Sequence, residues 1–97
     1  MNMQQMLIQA QKLQREMQKQ QAELEGKEFT VTKGGAVTAV VKGDKSIKSI
    51  SIDEDAFDKE NKDMVEEMIA LAINEAIEQI RTEEAKISAK ASSAGLF

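Results

Sequence analysis

The side chains that could do chemistry form a row of cations early in the chain and a cluster of acids near its middle. Lys12, Arg15 and Lys19 are separated by three and four residues, so on a helix they lie on one face. Such a row can lie along the phosphates of a nucleic acid, while neutral side chains beside it bond to phosphates or base edges. The same pattern is also typical of an ordinary solvated helix face. The glutamines around the row are Gln4, Gln5, Gln9, Gln11, Gln14 and Gln18.

The acid cluster does not fit a metal site or a catalytic site. Its members are Asp53, Glu54, Asp55, Asp58 and Glu60. A calcium loop beginning at Asp53 would place Phe57 and Met64 where oxygen ligands are needed. The chain contains no His and no Cys, and so lacks the commonest general base and thiolate ligands. We predict that these acids cap a helix, and that the protein is not an enzyme and holds no metal and no cofactor.

A long helix is predicted to carry the cations. Residues 1–26 consist mostly of strong helix formers, with no Pro and no Gly before Gly26. Residues separated alternately by three and four positions form a coiled-coil-like seam, which is apolar except at Gln20. We expect a projecting helix about 35 Å long, ending at Gly26 in a left-handed cap, with its seam packed on another helix or left exposed. The seam consists of Met3, Met6, Ala10, Leu13, Met17, Gln20 and Leu24.

After this helix the sequence changes to a period of two, which is typical of β-strands. The stretches EFTVT, AVTAVVK and SIKSISI fall within residues 28–52 and are separated by turns around residues 34–35 and 43–46. If the second turn is a four-residue loop, Val37 and Ala39 lie opposite Ile52 and Ile50. We predict a three-stranded antiparallel sheet that packs on helices by one face.

A second helix is predicted over residues 58–90, with Asp58 as its N-cap. Between Met64 and Ile80, eleven of the seventeen residues are apolar, which exceeds the single stripe of a surface helix, so this helix should bury two sides. Residues 91–97 are expected to form a flexible tail. The predicted fold class is therefore α+β in one domain over residues 1–97, with a long N-terminal helix, a three-stranded antiparallel sheet and a C-terminal helix.

Length and charge add two expectations. A chain of 97 residues buries a small share of its surface, which favours an oligomer with a shared core. Residues 1–50 carry eight Lys or Arg against five Asp or Glu, and residues 51–97 carry five against twelve, so the two halves have formal charges of +3 and −7. We recognise no signal sequence and no apolar run near the ~18 residues of a membrane span, so we expect a cytoplasmic protein without a membrane partner.

The order of these segments resembles the YbaB/EbfC family of bacterial nucleoid-associated DNA-binding proteins. The similarity runs from a Met/Gln-rich helix through GGAVTAVVKGDKSIKSISID to EEMIALAINEAIEQI, and covers roughly residues 3–80. The resemblance implies a small α+β subunit that forms a homodimer with projecting helices. It also implies binding of double-stranded DNA with little sequence specificity, and a location in the cytoplasm and nucleoid.

The resemblance also implies which residues contact DNA. The family's surface on the first helix falls on the row already described: Lys12, Arg15 and Lys19. Its C-terminal helical region corresponds here to Arg81, Lys86 and Lys90, with several glutamates between them. Because non-specific affinity comes largely from neutralising phosphates, a net acidic dimer is expected to bind weakly at physiological salt.

An alternative function belongs to another class. The seam of the first helix could dock a helix of another protein, in an interaction module with negligible DNA binding. The residues that would form this docking surface are Met3, Met6, Leu13, Met17 and Leu24.

Overall fold

The protein has two long helices and one small sheet, which confirms the predicted α+β class. The computed structural model describes residues 2–93, and its three strands form one antiparallel sheet in the order β1-β2-β3. The elements are α1 (Met3–Gly26), β1 (Glu28–Lys33), β2 (Val37–Lys42), β3 (Ile47–Ile52), two short 3₁₀ turns (Glu54–Ala56 and Lys59–Asn61) and α2 (Lys62–Ser93).

Helix α1 begins with a side-chain cap and ends without the left-handed residue that we predicted. The backbone N–H of Gln5 donates to Oδ1 of Asn2 at 2.8 Å, which satisfies one of the free donors of the first turn. Gly26 does not have a positive φ, so the predicted left-handed cap is wrong. Instead the helix ends because Lys27 is already extended, and its N–H donates to the carbonyl of Leu24 at 3.0 Å.

The pairing of β2 with β3 is as predicted up to Val40 and then shifts. Val37 lies opposite Ile52 and Ala39 opposite Ile50, but Val41 lies opposite Ile47, which leaves a bulge in β3. The shift arises because the turn is one residue tighter than expected: the N–H of Lys42 already donates to the carbonyl of Ser46 at 2.8 Å. The bulge places an isoleucine, and not a lysine, on the same face of the sheet as Val41.

Side-chain bonding within this turn stabilises its unusual backbone. Lys45 has a φ of 72°, which L-residues rarely adopt. Asp44 accepts hydrogen bonds from both the N–H and the hydroxyl of Ser46. These bonds favour the charged carboxylate and hold the pKa of Asp44 below its ordinary value.

The core lies between α2 and the first two strands. The pleat turns Val31, Ala39 and Val41 toward α2, whose small Ala72 and Ala76 permit close approach. Nearer the start of α2, Ala36, Val37 and Val65 form a second cluster, with Ile52 and Ile69 at its margin. Helix α2 therefore covers β1 and β2, whereas β3 is exposed along nearly its whole length.

Helix α2 begins four residues later than the predicted boundary at residue 58. Asp53 and Asp58 each cap one of the 3₁₀ turns, by accepting from the N–H of Asp55 and Glu60 respectively, and the second turn leads directly into α2. At the other end, residues 91–93 continue the helix, and the rest of the predicted flexible tail, residues 94–97, lies outside the described residues.

The molecule is a rod. Its principal extents are 69 × 18 × 15 Å, and its radius of gyration of 19.4 Å exceeds the roughly 12.5 Å of a compact domain of this length. Helix α1 packs on α2 and ends beside the β2–β3 turn, so its first turns lie at one end of the rod. Among residues 2–93, no helix has both the length and the apolar character needed to cross a membrane.

The contact between Gly43 and α1 gives a test of this packing. A Cβ on Gly43 would overlap the carbonyl oxygen of Leu24, whereas a Cβ on Gly26 would meet nothing within 4 Å. We expect Gly43→Ala to lower the free energy of unfolding by about 2–3 kcal/mol, and Gly26→Ala to leave it unchanged or raise it. Thermal denaturation at a fixed protein concentration measures both; equal stability of the two variants would contradict the described approach of α1 to the sheet.

Candidate nucleic-acid interface

The cation row of α1 is exposed to solvent. Lys12, Arg15 and Lys19 all lie on the exposed part of the helix. No ion pair found among residues 2–93 involves any of the three. An external anion can therefore approach all three side chains.

One acid lies within this row and was missed in the sequence analysis. Glu16 follows Lys12 by four residues, so it shares the same helix face. It is the only acidic residue before Glu23, so residues 1–22 have a formal charge of +2. The row is a positive surface with one negative interruption.

Packing of the seam on α2 turns the cation row outward. Along the seam, exposure decreases from Met3 and Met6, which are exposed, through Leu13 and Met17, which are half-buried, to Leu24, which is buried. Met17 and Ile87 line a common groove between the two helices. Because Lys12 and Lys19 lie on the opposite side of α1 from this contact, they face solvent.

The second set of predicted cations does not form one surface. Arg81 lies five residues before Lys86, which is about 140° around the helix, and nine before Lys90, which is about 180°. Arg81 pairs with Glu78 at 3.4 Å, and Lys86 pairs with Glu83 at 3.1 Å. The structure brings Lys86 and Lys90 together on a groove beside Leu24 and leaves Arg81 elsewhere.

The acidic end of the rod lies far from the cation row. Residues 53–67 carry eight carboxylates and two lysines, which gives a formal charge of −6. These residues surround the start of α2, whereas α1 packs on the final third of the same helix. No group of three or more acidic side chains able to hold a metal ion occurs in the described part of the chain, residues 2–93.

An apolar groove lies beside the uncovered strand β3. Ile52 and Phe57 line it together with Val65 and Ile69 of α2. Ile47 and Ile50 continue this apolar surface along β3, on the α2 side of the sheet, where α2 does not reach over β3. We call Ile47, Ile50, Ile52, Phe57 and Ile69 the β3 flank. The bulge that exposes Ile47 on this face was not predictable from the alternating pattern alone.

Further exposed apolar side chains lie on the other side of α2. Glu75 pairs with Lys33 of β1 at 2.7 Å, so this side of the helix borders β1. Met64 and Leu71 lie on the same side, because they precede Glu75 by eleven and four residues. The predicted burial of two sides of α2 is thus incomplete within one chain.

Comparisons with known proteins agree with this arrangement of sequence segments. The YbaB/EbfC DNA-binding family matches residues 1–96. A nucleoid-associated protein of Clostridium kluyveri is 40% identical over 99% of this chain and 89% of its own length. Nucleoid-associated proteins of Malacoplasma penetrans (44% identity, 91% of this chain, 94% of theirs) and Enterococcus faecalis (41%, 84% and 80%) are also similar. The chain belongs to the YbaB/EbfC DNA-binding family.

Proposed function

We propose that this protein is a non-enzymatic, nucleoid-associated protein of the bacterial cytoplasm that binds double-stranded DNA as a homodimer with little sequence specificity. The observation that carries the proposal is the exposed row of Lys12, Arg15 and Lys19 on α1, none of them in an intrachain ion pair found among residues 2–93. The names of the related proteins, which describe them as nucleoid-associated, support the proposed location.

The chemistry of the row favours phosphate contacts over base recognition. Three cations spaced over two turns can neutralise phosphates and release their counterions, a contribution that does not depend on sequence. The chain has no Tyr and no Trp and only three Phe, so it offers little surface for stacking unpaired bases. These features support duplex binding with weak discrimination between sequences.

Charge segregation allows a net acidic protein to bind DNA. A dimer would have a formal charge of about −8, twice the −4 of one chain. The acids of residues 53–67 lie at the other end of a 69 Å rod from the first turns of α1. At physiological salt, charges separated by much more than about 8 Å are largely screened. The local charge of α1 therefore determines binding, and the affinity stays low because the row offers only three cations.

We further propose that the β3 flank forms the dimer interface. It combines an exposed strand edge with a row of isoleucines and an exposed Phe57. Such a surface is costly to leave in water and readily pairs with an identical copy, and a two-fold axis would bring the same patch together from both protomers. The opposite side of α2, with Met64 and Leu71, has fewer exposed apolar residues.

The interaction-module alternative rests on the start of the α1 seam. Met3 and Met6 are exposed, whereas the seam is buried at Leu24. Only about two turns are therefore open to a partner helix, and this short surface favours DNA binding as the main function. The alternative predicts no salt-dependent binding to a duplex.

Removing the cations of α1 tests the DNA interface. We expect the Lys12→Gln, Arg15→Gln, Lys19→Gln triple variant to weaken duplex binding and to flatten the plot of log affinity against log salt by about 0.9 unit for each lost phosphate contact. Fluorescence anisotropy of a labelled duplex across a salt series measures this.

A matched control removes the same number of positive charges from residues outside α1. The Lys33→Gln, Lys42→Gln, Lys45→Gln variant also removes three positive charges, from β1, β2 and the β2–β3 turn, and leaves the β3 flank unchanged. It should keep the wild-type slope. Equal flattening in both triple variants would mean that net charge, and not the α1 row, governs binding.

Removing the acids that pair with the α2 cations should strengthen DNA binding, whereas removing the α1 cations should weaken it. Glu78 and Glu83 partly neutralise Arg81 and Lys86. If the α2 cations contribute to binding, the Glu78→Gln, Glu83→Gln variant should bind the duplex several-fold more tightly and steepen its salt dependence by up to about two units. The matched control, Glu66→Gln with Glu67→Gln, removes two acids from the distant half of α2; an equal gain there would exclude a local role for the α2 cations.

Charge introduced on the β3 flank tests the dimer. Ile47 is 51% exposed and Leu71, on the opposite side of α2, is 44% exposed. We expect Ile47→Lys to shift the protein from dimer to monomer, because a lysine there would be buried against an identical copy. Leu71→Lys should remain dimeric. Light scattering after size exclusion measures the mass, and circular dichroism checks folding; the reverse result would move the interface to the Leu71 side.

A further inference from the structure

Ile8 is an exposed aliphatic side chain in line with the cation row. It precedes Lys12 by four residues, Arg15 by seven and Lys19 by eleven. On a helix these spacings form one continuous row, with its ends about 16 Å apart. Ile8 is 55% exposed, although the remainder of the row is polar and charged.

Packing within the chain does not account for Ile8. The seam residue Met17, which lines the groove against α2, lies nine residues away and therefore about 180° around the helix. Neither of the two buried core clusters includes Ile8. Its position is thus explained neither by the contact with α2 nor by the core.

The chemistry of the helix tip changes at Lys12. Residues 3–11 carry no charge, and four of these nine residues are glutamines: Gln4, Gln5, Gln9 and Gln11. A duplex held on the cations beyond the tip would meet only neutral side chains there. Contacts at the tip must then be hydrogen bonds and apolar packing, which do not release counterions.

From this we propose that Ile8 packs against the sugar and base-edge surface of a DNA groove while Lys12, Arg15 and Lys19 hold the adjoining phosphates. The inference rests on the proposed DNA-binding function and extends it: α1 would contact DNA through two chemically different segments. Apolar side chains pack on thymine methyl groups and deoxyriboses in many complexes. The single aliphatic residue in the row supplies such a contact, and the neighbouring glutamines supply neutral hydrogen bonds.

Salt dependence separates an apolar contact from an ionic one. Ile8→Gln should weaken binding of a labelled 30-base-pair duplex by roughly five- to tenfold at every salt concentration, with the slope of log affinity against log salt unchanged. Lys12→Gln in the same assay should flatten that slope by about 0.9 unit for each lost phosphate contact.

Met6 provides a matched control. It is 57% exposed, lies on the same helix tip and is about 200° around the helix from Ile8. Met6→Gln should bind DNA as the wild type does. Both substitutions place a good helix former at an exposed site, and circular dichroism checks that α1 is retained.

Three outcomes would overturn the inference, and they are distinguishable. Wild-type affinity in Ile8→Gln, together with a flattened slope in Lys12→Gln, would exclude the apolar contact of Ile8 and still support DNA binding by the cation row. Equal losses in Ile8→Gln and Met6→Gln would assign the tip to a contact that does not depend on the cation row. Absence of wild-type binding even at low salt would overturn both the inference and the proposed function.

Discussion

Helix α2 has two packing partners, and this sharing determines where the cations of α1 lie. Its first half is held on the sheet by Ala72 and Ala76, which lie against Ala39 and Val41. Its last third continues beyond the sheet, and there Ile87 meets the seam of α1. A helix broken near Ile80 would leave α1 held only at its end, where Leu24 lies against Gly43. The continuous helix therefore connects the core to the proposed DNA surface.

The two packing partners of α2 also explain why apolar surfaces remain exposed. A single helix can cover about two strands of a three-stranded sheet, and α2 lies over β1 and β2. Strand β3 is consequently left with its isoleucines open to solvent. The proposed second copy would cover them, because α2 is already packed on β1, β2 and α1.

The sequence patterns predicted the elements well but not the local shifts between them. Period and composition identified both helices, three strands and the pairing of Val37 with Ile52, because these depend on side-chain alternation that is visible along the chain. The bulge at β3 escaped prediction because it depends on the left-handed backbone of Lys45, a residue type that rarely adopts it.

The same distinction applies to the candidate site. Spacing alone placed Lys12, Arg15 and Lys19 on one face of α1, because a helix converts separations of three and four residues into neighbours. The same spacing also places Glu16 and Ile8 on that face, although a pattern of cations alone does not point to them. The ion pairs of Arg81 and Lys86 with glutamates could be seen only from the side-chain positions, because an acid that is near in the sequence can point away from the cation.

The proposed apolar interface would control DNA binding without contacting DNA. Three phosphate contacts by one α1 give a salt slope of only about −2.7, whereas six contacts by two helices give about −5.4. A tether between two weak sites also raises the effective concentration of the second site once the first is bound. The affinity of an acidic protein with few available cations would therefore depend on joining two α1 helices through the β3 flank, so that dimer stability and DNA affinity change together.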